Sequence, residues 1–429
     1  MLTNPNMRSS LLRFSVLGLT LCAAACSTPV TEDVAPSEDA ISSNDGTVLE
    51  LRFRGEVVGS GNDTARKAIA AQLQYAQGIL TTDAGANAQA NMPVLTIIRE
   101  EAAAGNKKKI TYQAALAVIW PKNRERPNSY ELALPKDVTA LGAFNAKYDG
   151  TCGRNEYGQE TFWHDFHPAA SGCRLDAADA IRAQATVALH PQTTEGKYPE
   201  YDQIWADDSL DMVAVFGIIA SNTPSDDGAV TREKLLNEVK GSLTDAQRVE
   251  APAAPGVIAD STVTGKIVVD GRARRVSLTA FLVQEASSAG SAFERRYGEV
   301  SVKADYIVYE GHSGLGKNIN ALARNTGATA GKYQLMYLYG CQTLAYLEPT
   351  MHEKRIALNG AARDPEGTKY LDVVATALPA YGDNGRSTTA FYRALLDTRA
   401  PKTFNDLMRG ISPLHLVTVF GEHDNTFRP

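Results

Sequence analysis

Apolar positions recur along this chain in two rhythms. Between residues 47 and 150, TVLELRFRGEVV alternates with period two, TARKAIAAQLQYAQGIL repeats at helical spacing, and PVLTIIRE, KITYQAALAVIW and YELALP read as further strands. Asn62 or Asp63 stands where it can cap the helix. These elements predict a small α+β domain. From residue 205 the rhythm changes to near-continuous apolar runs, DMVAVFGII, VSLTAFLV, YIVYE, YQLMYLYG, LDVVATAL and LVTVF, separated by helix-spaced segments such as TREKLLNEVKGSL, NINALARNTG and TTAFYRALLD. Strands apolar on both faces and alternating with helices predict an α/β domain over 205–429, a mostly parallel sheet covered by helices on both sides. EAPAAPGVIADS reads as a loop within it. Residues 151–204 form the connection, a long loop and then a helix over about 176–188.

The first 25 residues follow another logic. Arg8 and Arg13 precede an apolar stretch from Phe14 to Leu21, and Ala23-Ala24-Ala25 leads into Cys26. A charged start, a short apolar run and small residues describe a signal peptide, and the run falls short of the roughly 20 residues a spanning helix needs. A cysteine directly after small residues resembles the lipobox of bacterial lipoproteins, although Ala23 stands where that pattern prefers leucine. The resemblance implies lipidation at Cys26 and an envelope location at the periplasmic or surface face. Ser27 is similar to the outer-membrane sorting pattern. An ordinary secretory peptide cut near Ala25 is the alternative. Residues 26–46, rich in Ser, Thr, Pro and acid, read as a disordered tether.

Charge narrows the partners. Removing residues 1–25 takes the formal net charge from −6 to −8, because two arginines leave and no acid does. A mildly acidic chain lacks the electrostatic footprint of a nucleic-acid binder, so membrane contact is expected through the lipid alone.

Of five cysteines, Cys22 leaves with the signal and Cys26 carries lipid. Cys152 and Cys173 bracket CGRNEYGQETFWHDFHPAASGC, a loop that a disulfide would staple in an oxidising compartment, for roughly 3 kcal/mol in the chain-entropy account. Cys341 is left over, either as a buried small hydrophobe or as a working thiol.

Its setting bears on that choice. YIVYEGHSG carries His312 just past one apolar run, and YQLMYLYGC carries Cys341 just past the next. Residues beyond the carboxyl ends of parallel strands line the crevice where ligands bind, so neighbouring strands would bring a thiol and an imidazole together. The chemistry this supports is nucleophilic acyl transfer. Cys341 attacks a carbonyl, His312 takes and returns the proton, and backbone amides at Ser313, Gly314 and Cys341 hold the oxyanion.

The two segments resemble the core of the clan CD cysteine peptidases, the group of caspases, metacaspases, legumain, gingipains and CHAT-domain proteases. The shared pattern is an apolar strand ending in His-Gly and a second ending in a small residue and the nucleophilic cysteine. The resemblance covers roughly 205–429 and implies a caspase-like fold, a cysteine endopeptidase and a protein or peptide substrate. Two positions depart from it. Ser313 replaces the glycine after the histidine, and Tyr339 stands where metacaspases place an acid for basic substrate side chains. No cofactor or metal is expected.

Other readings compete. A caspase-like body without activity would serve as a surface scaffold. GHSGL is similar to the serine-hydrolase elbow with Ser313 as nucleophile, yet Leu315 takes the place of its last glycine, and the downstream histidines, His415 and His423, are awkwardly ordered. His164 and His167 in WHDFH have the spacing of a metal pair, with His190 as a third candidate, but an aromatic-rich stapled loop favours packing. Glu310, Asp372 and Asp383 fall near predicted strand ends and read as solvated loop acids.

Overall fold

Alternation in the first described segment builds β1 (Gly46–Ser60), in which Leu49, Leu51, Phe53 and Val57 point inward and Arg52 and Arg54 outward. The computed structural model describes residues 46–156, 158–191, 194–252, 254–380, 382–411 and 415–429. The signal segment, Cys26 and nearly all of the expected tether lie outside the described residues, and Gly46, assigned to the tether, belongs to β1. Helix α1 (Ala65–Ala84) follows, with Ile69, Leu73, Ala76 and Leu80 on its buried stripe. Its N-cap is Thr64, whose hydroxyl accepts the Lys67 amide at 3.2 Å, one or two residues later than the expected Asn62 or Asp63.

The chain continues through β2 (Asn87–Ala88), β3 (Val94–Ala103), β4 (Lys107–Pro121), β5 (Ser129–Pro135), α2 (Leu141–Tyr148) and β6 (Ala180–Leu189). They form an antiparallel sheet in the order β2-β4-β1-β6-β5, with β3 also on β4. The helix expected over 176–188 is thus a strand. AIRAQATVAL has helix-forming composition, but the open edges of β1 and β5 bind its backbone on both sides, and pairing overrides propensity. The first sheet accordingly runs to Leu189, past the boundary expected at 150.

Beyond α3 (Tyr201–Ile204) lie β7 (Ser209–Gly217), α4 (Asp227–Ser242), β8 (Thr244–Glu250), β9 (Val257–Val269), β10 (Arg272–Val283), α5 (Gly290–Ser301), β11 (Tyr306–Glu310), α6 (Lys317–Asn325), β12 (Gln334–Tyr339), α7 (Thr350–Asn359), β13 (Leu371–Thr376), α8 (Arg386–Leu396), α9 (Phe404–Arg409) and β14 (Val417–Phe420). They make a second sheet in the order β14-β13-β12-β11-β7-β10-β9-β8. The five strands from β13 to β10 are mutually parallel, and antiparallel partners close both sides. The chain is therefore mixed α/β with two sheets. The loop expected over EAPAAPGVIADS is only partly a loop, since Val257–Ser261 joins β9 and pairs with β10.

Alternate residues of the parallel strands serve two cores. Ile307, Tyr309, Met336 and Leu338 pack with Phe293 and Tyr297 of α5 and Ile319 and Leu322 of α6. Tyr306, Val308, Tyr337 and Tyr339 pack with Leu236 of α4, Phe391 of α8 and Phe404 of α9. The first of these cores is continuous with that of the first sheet, reached through Leu344, Ala345, Tyr346 and Leu347. No helix among the described residues is long and apolar enough to cross a membrane.

The Cys152–Cys173 bond is present and closes the expected loop. The loop lies against α1 where Gly78 leaves room: a Cβ there would stand 1.8 Å from the Trp163 carbonyl oxygen. Gly78→Ala must push the loop away, and we expect a loss of about 1–3 kcal/mol of stability, measured by urea unfolding of the full chain. Unchanged stability would show that the seat is not tight.

Candidate active site

β11 and β12 lie side by side in parallel register, Glu310 opposite Tyr339. The pairing continues one residue further, with the Gly311 amide donating to the Tyr339 carbonyl at 3.1 Å. Here the backbones approach closely: a Cβ on Gly340 would lie 2.5 Å from the Gly311 carbonyl oxygen, so glycine is required there. His312 and Cys341 are the next residues on each chain, two beyond the Glu310–Tyr339 pair, so both follow the carboxyl ends of adjacent strands.

His312 is held from several directions. Its Nε2 lies 2.8 Å from the carbonyl oxygen of Ile219, which follows β7, the strand on the other side of β11. A carbonyl only accepts, so Nε2 carries the proton and Nδ1 is left as the basic nitrogen of the neutral ring. The His312 carbonyl accepts from the Tyr309 hydroxyl and from Asn318 Nδ2 at 2.8 Å. Asn318 in turn accepts the Ser287 amide at 2.9 Å.

Cys341 is half-buried and stands outside the disulfide, its Sγ 3.9 Å from the Ala380 carbonyl oxygen. The turn after it is pinned. Gln342 adopts the left-handed conformation (φ 52°, ψ 37°), which costs a non-glycine residue on the order of 1–3 kcal/mol and persists only where its surroundings hold it. Its amide donates to the Leu378 carbonyl at 3.1 Å. The Thr343 hydroxyl donates to the Leu338 carbonyl at 2.8 Å, and the Thr376 hydroxyl to the Gly340 carbonyl. Opposite, among the described residues, no acceptor takes the amides of Ser313 or Gly314, which remain available to an anionic oxygen.

Two of the three acids, Glu310 and Asp372, are buried rather than solvated. Glu310 is buried beneath the site and accepts the Thr388 hydroxyl at 2.8 Å. Burial first, and then the charges of Asp383 and Asp227, push its carboxyl up to about 8. Asp383 is half-exposed and accepts the Ser387 amide at 3.0 Å. Asp372 is away from this edge altogether. It is the second residue of β13, paired with Leu335 near the start of β12, and buried against the Tyr333 hydroxyl and Asn425. The parallel direction of β13 decides this, since its carboxyl end is Thr376.

His415, His423, His164 and His167 each have a partner of their own. His415 Nε2 lies 3.0 Å from the Tyr339 hydroxyl, so the tyrosine two residues before Cys341 is tied to the loop before β14. His423 pairs with Glu366 at 3.1 Å at the amino edge of the parallel strands. Ser313 is buried. His167 Nε2 reaches Asp83 at 2.8 Å, whereas His164 Nε2 reaches Gln342 Oε1 at 3.0 Å. The two turn to different neighbours, and no group of three metal-ligating side chains forms among the described residues.

Two participants escaped sequence reasoning. The Ile219 carbonyl had a signal, because DMVAVFGII is a third apolar run ending at the same edge. The His164 contact had none, since its partner lies 178 residues away. No protein-family model matches the chain, and no curated protein matches it. The class that fold and site define is thus a mixed α/β protein with a thiol, an imidazole and uncommitted amides at the carboxyl edge of a parallel sheet.

Glu310 yields a pH prediction. A carboxyl held at about 8 in the folded chain stays protonated while its unfolded counterpart ionises from about 4.5 upward. Its stabilising contribution is complete below that range and is lost as pH rises through about 8, by up to about 1.4 kcal/mol per pH unit. Glu310→Gln should flatten the fall in stability between pH 5 and 8 in urea unfolding. An unaltered slope would contradict the assignment.

Proposed function

We propose that the chain is a cysteine endopeptidase with a caspase-like second domain, acting through His312 and Cys341. The observation that supports the reading is the register of β11 on β12, after which His312 and Cys341 follow the ends of adjacent strands at the edge where parallel sheets bind ligands. The clan CD pattern in YIVYEGHSG and YQLMYLYGC supports it independently.

The chemistry follows from the atoms available. The Cys341 sulfur attacks the carbonyl carbon of the scissile peptide bond while its proton passes to His312 Nδ1, the nitrogen left basic by the bond from Nε2 to Ile219. Negative charge gathers on the carbonyl oxygen, and the amides of Ser313, Gly314 and Cys341 stabilise it. The C–N bond then breaks as His312 returns the proton to the leaving amine, leaving a thioester. Water, losing a proton to His312, hydrolyses the thioester and restores the thiol. The substrate is a protein or peptide. The lipobox-like start belongs to the same reading: an enzyme tethered through Cys26 at the bacterial envelope, its body lifted from the membrane by residues 26–46.

Treatment with a peptidyl acyloxymethyl ketone should add one adduct, mapped to Cys341, and Cys341→Ala should take none. His312→Ala should slow labelling by about 10²- to 10⁴-fold. A wild-type chain that never labels and cleaves no peptide would contradict the peptidase and favour a binding scaffold.

A further inference from the structure

The loop stapled by Cys152–Cys173 belongs to the first domain, yet it reaches across to Gln342, the residue directly after Cys341. Its turn Gln159–Asp165 presents Trp163 and His164 side by side. His164 Nε2 lies 3.0 Å from Gln342 Oε1, and the Trp163 ring meets Tyr346 edge-on with centroids 6.1 Å apart. From the same domain, Asn91 Nδ2 donates to the Ala345 carbonyl at 2.9 Å. Residues 342–346 are therefore held from one side by Thr376 of their own domain, and from the other by Asn91, Trp163 and His164.

His164 is set up to donate. A glutamine carbonyl oxygen faces Nε2 and a carboxylate oxygen of Asp165 faces Nδ1 at 3.3 Å, so both nitrogens meet acceptors and the doubly protonated ring satisfies both. Burial opposes that charge, but the Asp165 hydrogen bond and charge, the Gln342 acceptor and the charge of Glu156 together outweigh it and raise the ring above the ordinary histidine value. A charged donor makes the stronger kind of hydrogen bond. What it holds is the side chain of a left-handed residue directly bonded to Cys341, so a change at Gln342 turns the thiol and its amide.

We propose that His164 is a positioning residue for Cys341: by gripping Gln342 it fixes the turn behind the nucleophile, so that the stapled loop of the first domain completes the site of the second. The proposal rests on Cys341 being the nucleophile of the proposed peptidase. It gives the disulfide a role beyond stability, since the bond braces the loop on which the grip depends.

Two readouts on the full chain separate this inference from the reading beneath it. One is the rate of Cys341 alkylation by iodoacetamide, followed by mass spectrometry, which needs no enzymatic activity. The other is acyloxymethyl-ketone labelling together with kcat and KM for peptide cleavage. His164→Ala should slow alkylation and lower kcat by about 10- to 100-fold with KM little changed. His164→Gln, which retains a donor, should recover most of the loss. His167→Ala, which breaks a bond of the same loop to Asp83, should leave the rates within about twofold, well inside that loss. Wild-type rates in His164→Ala, or an equal fall in His167→Ala, would overturn the proposal while peptidase labelling stands. A wild-type chain inert to the ketone, with alkylation still falling in His164→Ala, would keep the grip and remove the peptidase.

Discussion

Everything at the site depends on the register between β11 and β12. With Glu310 opposite Tyr339, the next residues are Gly311 and Gly340, and only at that pairing do two residues without side chains meet where the backbones come closest. A slip by one residue would set Gly340 against a side chain and send Tyr337 and Tyr339 to the opposite face of the sheet. The aromatic packing resists such a slip. Tyr306 and Tyr337 each stack on Phe391, with centroids 6.1 and 4.9 Å apart, so helix α8 reads the register of both strands. The strand pairing that His312 and Cys341 follow is thus enforced from the core as well as by the backbone.

Beneath this edge the protein tolerates buried acid, and at Glu310 and Asp372 it does so with neutral hydrogen-bonding side chains in place of cations. Glu310 is met by Thr388, and Asp372 at the other end of the sheet by Tyr333 and Asn425. Burial favours the neutral form of such carboxyls, which keeps charge low inside the sheet while the polar contacts fix the surrounding helices. The two ends of the parallel sheet share this device, and only one of them also carries a thiol and an imidazole.

Much of this was legible in the sequence where burial is two-sided. YIVYE, YQLMYLYG and LDVVATAL announce central parallel strands because no position on them can be polar without a partner, and the residues just past the first two name the candidate chemistry. Legibility fails where a long-range partner decides. AIRAQATVAL reads as helix until the edges of β1 and β5 claim it. TMHEKRIALN, which forms α7, buries only Met351, His352 and Arg355 and so lacks an apolar stripe to announce it. Asp372 does lie at a strand end, but at the amino end of its run, which in a parallel sheet is the edge opposite the site. His164 illustrates the limit most plainly: packing explained it locally, and its bond to Gln342 exists only once both domains have folded together.

In the proposed mechanism Cys341 forms a covalent bond to the substrate carbonyl. Acid quenching of the full chain during turnover of an activated peptide ester, followed by peptide mapping, reads that bond directly. The proposed mechanism puts the acyl group on the peptide containing Cys341, and none there when His312 is replaced by alanine. An acyl group on Ser313, or none on any residue while the ester is consumed, would contradict it.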